Sequence, residues 1–186
     1  AQQGVLVYVP NQATDNVSVF RTVANGTLET VATITAAGIG ASSRVAVRGD
    51  QAFAYVTAED TDKVHVINAA TNTIVQTVDT GTNLGTLNDD PLGVTVSPDG
   101  TRVYVANSGG DAVSVFSAHA TTGELTALTT INAGDLTRDV AVSPDGTRLY
   151  VANQSANSVQ VFDTGSNDLV ATVTVPGGLG AFNAPF

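Results

Sequence analysis

The tightest constraint on the fold is that the chain writes one stretch twice. From Val94 it reads VTVSPDGTRVYVANSGGDAVSVF, and from Val140, 46 residues on, VAVSPDGTRLYVANQSANSVQVF. A period of this length denotes a repeat architecture, in which each unit buries its apolar face against its neighbours. Looser copies precede these two. Tyr8, Tyr55, Tyr104 and Tyr150 recur at intervals of 47, 49 and 46 residues. The pairs Val17/Val19, Val64/Val66, Val113/Val115 and Val159/Val161 keep the same intervals. Nearly the whole chain is one unit written four times, with expected boundaries 1–44, 45–93, 94–139 and 140–186.

Each unit has the pattern of a small antiparallel sheet. Val94 and Val96, then Val103 and Val105, alternate with small or polar residues, the period of a half-buried strand. Ser97-Pro98-Asp99-Gly100 lies between them: Pro presets φ, Asp accepts nearby amides and Gly takes the left-handed position, which predicts a hairpin turn. A second turn at Asn107–Asp111 leads to a third strand, Ala112–Phe116, and a fourth is expected at Leu125–Ile131. Asn25-Gly26 is a further hairpin signal. Four strands per period of about 40–50 residues is the signature of a propeller blade, so the expected class is an all-β propeller of four-stranded antiparallel blades.

The segments Tyr104-Val105-Ala106-Asn107, Tyr150-Val151-Ala152-Asn153, Tyr8-Val9-Pro10-Asn11 and the looser Tyr55-Val56-Thr57-Ala58 resemble the YVTN family of β-propeller repeats. The Val-Ser-Pro-Asp-Gly-Thr-Arg before two of them resembles that family's first hairpin. The resemblance implies the fold. It spans surface-layer and adhesion-type proteins, lactonase-like enzymes and redox-complex subunits, and a fold alone does not choose among them.

The first unit lacks the usual inner strand, and Ala184-Pro185-Phe186 resembles the Pro91-Leu92-Gly93 lead-in to such a strand. The expected architecture is therefore an arc of 15 strands from a larger propeller, for which the resemblance implies seven blades. The alternative is a closed four-bladed ring. An arc exposes strand edges and blade faces, which predicts a protein partner or a second copy covering them.

Lys and Arg number 7 against 17 Asp and Glu, a net charge of −10. That leaves no basic stripe for nucleic acid, disfavours anionic membrane surfaces, and predicts no membrane insertion. Cysteine is absent, so disulfides and zinc–thiolate sites are excluded. No apolar run is long enough to span a bilayer. A chain opening Ala1-Gln2-Gln3 with no Met anywhere reads as a processed product, which points to export: extracellular, cell-surface or periplasmic.

Function must lie in the loops. Those expected on one propeller face carry Asp15, Glu59, Asp60, Asp62, Asp89, Asp90, Asp111, Asp135 and Asp139. Read functionally they attract cations. Ca²⁺, which takes several oxygen ligands, would have Asp89 and Asp90 as its best candidates. Read structurally they serve turns. Arg44 and Arg138, at the mouths of inner strands, and Asp139, which aligns with Arg44, are the catalytic candidates that a lactonase-like site would use. An inter-blade ion pair is the alternative. His65 fits a polar slot on a strand, where other units carry Ser18, Ser114 and Gln160, and His119 falls in an exposed hairpin. No nucleophile elbow or metal-binding helix motif occurs. Arg48-Gly49-Asp50 spells a cell-adhesion tripeptide but stands where other units have their Ser-Pro-Asp turn, with Asp50 expected one place out of line or the turn reshaped. The leading functional expectation is an exported module for binding, scaffolding or surface-layer interaction. The alternative is a lactonase-like hydrolase whose catalytic face is incomplete in this chain.

Overall fold

The computed structural model describes residues 4–35, 39–81 and 89–176. These hold four antiparallel sheets. The first has three strands, β1 (Leu6–Asn11), β2 (Asn16–Thr22) and β3 (Leu28–Thr35). The second comprises β4 (Ser42–Val47), β5 (Phe53–Ala58), β6 (Lys63–Asn68) and β7 (Thr73–Asp79). The third comprises β8 (Pro91–Val96), β9 (Arg102–Asn107), β10 (Ala112–Ala118) and β11 (Leu125–Asn132). The fourth comprises β12 (Thr137–Val142), β13 (Arg148–Asn153), β14 (Ser158–Asp163) and β15 (Leu169–Thr174). Each sheet runs in sequence order from inner to outer strand. This is an all-β partial propeller. Inner strands β4, β8 and β12 begin at Ser42, Pro91 and Thr137, three residues before the alternation of valines becomes legible. Residues 82–88 of the longest linker and the terminal segment 177–186 lie outside the described residues.

The repeated hairpin closes as its sequence predicts. The Ser97 hydroxyl donates to Asp99 Oδ1 at 2.5 Å, and that oxygen accepts the Thr101 amide at 3.0 Å. Gly100 sits at φ +71°, where a Cβ would be strained. Ser143, Asp145 and Thr147 repeat the arrangement. In the second unit Asp50 lies in register, not one place out. Its Oδ1 accepts the Ala52 amide, and Gln51 takes the left-handed position at φ +58°. Arg48 replaces the serine. Its guanidinium donates to both Asp50 oxygens, at 2.9 and 2.7 Å, and to the His119 carbonyl, and stacks over the Phe53 ring at 4.6 Å. With Arg48 only 5% exposed, the adhesion reading of Arg48-Gly49-Asp50 fails: its arginine is committed inside the fold.

The core consists of three interfaces between consecutive sheets, all built alike. Tyr8, Val17 and Val19 meet Ala54, Val56 and Ile67. Tyr55, Val64 and Val66 meet Val103, Val105 and Phe116. Tyr104, Val113 and Val115 meet Leu149, Val151 and Phe162. Every sheet thus has a trailing face carrying the tyrosine and a leading face carrying the flanking aliphatics. Tyr104 is 1% exposed, as expected, but Tyr150 is 41% exposed. Repeat register predicts that Tyr150, like Tyr104, packs between blades, and the structure corrects this: its face is trailing, and among the described residues no fifth sheet follows.

Candidate functional site

The motif asparagines are structural. Asn11 and Asn107 close their hairpins by donating to Ser18 and Ser114, at 2.9 and 2.8 Å, and the Asn153 and Gln160 amides meet at 3.0 Å. The second unit has Ala58 in that place, and buried His65 instead contacts Thr77 Oγ1 at 2.9 Å. The polar-slot reading of His65 fits this. His119 is exposed, with Nδ1 accepting the Thr122 amide.

The loops β1–β2, β5–β6 and β9–β10 turn through Asp15, Asp62 and Asp111, at φ +50°, +54° and +51°. Each carboxylate reaches across to the loop entering the next sheet. Asp15 Oδ1 accepts the Ala41 amide at 2.8 Å, Asp111 Oδ1 accepts Leu136 at 2.7 Å, and Asp62 Oδ1 accepts Asp89 and Asp90, both at 3.0 Å. The receiving residues Ala41, Asp90 and Leu136 themselves have positive φ. Three of the acidic loop residues are therefore clips between blades, with the short side chain and left-handed tolerance that such a turn needs. Sequence reasoning read them as loop acids and missed the clip. Their 47- and 49-residue spacing was its signal.

Asp89 and Asp90 occupy the loop entering β8. Asp89 is 5% exposed, and its Oδ2 has no hydrogen-bond partner among the described residues. A Cβ built on Gly81 would lie 2.8 Å from that oxygen, and one on Gly110 2.8 Å from Oδ1, so two glycines make room for the carboxylate. Burial, with Asp62 and Asp90 adding like charge, pushes its carboxyl above the ordinary range. Among the described residues no group of three or more His, Asp or Glu is disposed to hold a metal.

The catalytic candidates line the mouths of the inner strands. Arg44, on β4, is exposed, and its guanidinium donates to the Ser43 carbonyl at 3.1 Å. Arg138, on β12, donates from Nε to Gln154 Oε1 at 2.6 Å. Asp139 is exposed, and its Oδ1 accepts the Val140 amide at 2.9 Å. The inter-blade ion pair is not formed. The ion pairs among the described residues are Arg21–Glu29, Arg48–Asp50, Lys63–Asp79 and Arg148–Asp163. Gly93 of β8 stands in register between Arg44 and Asp139. A Cβ there would lie 2.6 Å from Asp139 Cα and Oδ1, so only glycine lets β12 approach. Three neighbouring inner strands thus carry Arg44, Gly93 and Asp139 at equivalent positions of the repeat. Two grooves among the described residues lie elsewhere: about 360 Å³ between the Ser97 and Asp145 turns, and about 260 Å³ between the Arg48 and Asp99 turns.

Similarity to known proteins bears on this rim. Hydrazine synthase of Kuenenia stuttgartiensis is 26% identical with a TM-score of 0.78, over 91% of this chain and 46% of that one. The periplasmic gluconolactonase PpgL of Pseudomonas aeruginosa is 25% identical with a TM-score of 0.76, over 93% and 54%. A protein described as a candidate 6-phosphogluconolactonase from Bacteroides fragilis is 23% identical with a TM-score of 0.78, over 91% and 52%, a likeness of fold. The chain spans about half the length of these structures. Among curated proteins none matches it. The binding or surface-layer role receives no support from these likenesses, whereas the lactonase alternative does. A family model described as lactonase, 7-bladed β-propeller matches residues 2–175, and the chain belongs to that family.

Proposed function

We propose that this chain supplies part of the catalytic ring of a lactonase-type propeller that hydrolyses a sugar lactone. The observation that carries the reading is the family match over residues 2–175. The repeat register is in keeping with it: Arg44 and Asp139 hold the positions on β4 and β12 equivalent to Gly93 on β8, and Asp139 packs against Gly93. In this reading the Asp139 carboxylate takes a proton from the attacking water. The Arg44 guanidinium stabilises the oxyanion formed at the lactone carbonyl, and the ring C–O bond then breaks as the leaving oxygen takes the proton back from Asp139, which gives the hydroxy acid and restores the carboxylate. Arg138, held by Gln154, positions the substrate's hydroxyl-rich side. The likeness to a periplasmic gluconolactonase supports a periplasmic location. Among the described residues no helix is long and apolar enough to cross a membrane.

The test is hydrolysis of glucono-δ-lactone in a pH-stat, corrected for spontaneous opening. Asp139→Asn and Arg44→Ala are each expected to lower kcat/KM by on the order of 10²-fold. Turnover no faster than the spontaneous reaction, or unchanged in both variants, would reject the proposal.

A further inference from the structure

Asp89 is a buried acid that the proposed reaction does not use, and its backbone is held from both sides. Its amide donates to Asp62 Oδ1 of the second sheet's β5–β6 loop at 3.0 Å, and its carbonyl accepts the Gly109 amide of the third sheet at 3.0 Å. Asp90 repeats this, donating to the same Asp62 oxygen at 3.0 Å and accepting the Ser108 amide at 3.1 Å. The carboxyl is thereby fixed in the slot between Gly81 and Gly110, where neither neighbour has a side chain. Its Oδ2 finds no donor there among the described residues. Asp135, at the equivalent position before β12, is exposed, so the burial belongs to this joint and not to the repeat.

The ionisable groups around the slot offer it no counter-charge. The β5–β6 loop brings Asp62, with Glu59 and Asp60 earlier in the same loop, and the entering loop itself brings Asp90. Lys63, which follows Asp62, is paired with Asp79. Asp111, which follows Gly110, turns its Oδ1 to the Leu136 amide. Residues 82–88 contain no ionisable side chain. A buried carboxylate with one oxygen lacking a donor and only like charges beside it is costly, whereas the neutral acid is not. Burial first, then Asp62 and Asp90, raises the Asp89 carboxyl accordingly. We propose that Asp89 is a proton-operated latch between the second and third sheets: the protonated carboxyl stays in the glycine slot and seats the loop that starts β8, and ionisation loosens that loop. The latch reaches the rim through β8, which carries Gly93 against Asp139. The inference is independent of the lactonase reading, because its readouts are titration and stability.

Carbon-13 titration of the Asp89 carboxyl in the full chain tests it, together with thermal melts of wild type and Asp89→Asn. The midpoint is expected above about 3.9, the unfolded value. The amide shifts of Asp89, Asp90 and Gly93 move with that midpoint, and Asp90→Asn, which removes one like charge, lowers it. A carboxyl raised on folding contributes stability that is full below its unfolded pKa and lost as pH rises through its folded value. The wild-type Tm therefore drops relative to Asp89→Asn across that window, by a few degrees, and the gap stays constant above it. An Asp89 midpoint at or below the unfolded value overturns the proposal. So does a Tm difference that does not vary with pH, or loop amides that do not follow the titration.

Discussion

At the scale of single residues, the acidic character of the loops is explained by geometry before it is explained by function. Asp62 holds two amides of the next blade from a left-handed turn. Asp62→Ala should cost about 2–3 kcal/mol in urea melts, from the charge-assisted bonds and the strained φ together. Asp62→Asn, which tolerates the turn and keeps an acceptor, should recover most of it. The hairpin acids give a pH dependence of definite sign. The Ser143 hydroxyl, then the Thr147 amide and hydroxyl, hold the Asp145 carboxyl down at about 2. A carboxyl depressed on folding stabilises above its unfolded pKa of about 3.9, and that contribution is lost as pH falls through its folded value. Ser143→Ala should move the Asp145 carbon-13 titration midpoint upward and flatten the fall in stability between those limits. An unchanged midpoint would mean that the hydroxyl does not set it. The turn chemistry of Ser97-Pro98-Asp99-Gly100 was legible because every partner lies within five residues. The cross-blade partners of Asp62 and Arg48 were not, being 27 to 71 residues away.

At the scale of elements, the repeat told where strands begin and turn, because alternation and turn residues are local signals. It could not tell which copy of a repeated residue would be covered. Tyr104 and Tyr150 are identical in local sequence, and only the presence of a following sheet separates them. Tyr104→Ala should cost about 3–5 kcal/mol, the range for deleting a buried aromatic ring. Measured on monomeric chain, Tyr150→Ala should cost less than about 1 kcal/mol, as for ordinary surface positions. Equal losses would place both rings in equivalent cores. The candidate site shows the same limit. Arg44 and Asp139 could be aligned by repeat register, but that Gly93 clears the space beside Asp139 depends on how closely β8 and β12 pack.

At the scale of the whole molecule, stability and function both rest on consecutive sheets stacking through one recurring interface. Clips at Asp15, Asp62 and Asp111 set the spacing at the rim. Tyrosine–aliphatic contacts fill the middle, and on the opposite side Arg48 and Arg102 donate to carbonyls of the following sheet, those of His119 and Thr164. The most direct measurement of that stacking is the pattern of nuclear Overhauser contacts from the tyrosine rings, uncluttered in a chain of four Tyr and no Trp. The account predicts cross-peaks from Tyr55 to Val103, Val105 and Phe116, and from Tyr104 to Leu149, Val151 and Phe162. Tyr55 and Tyr104 rings that contact only residues of their own sheets would contradict it.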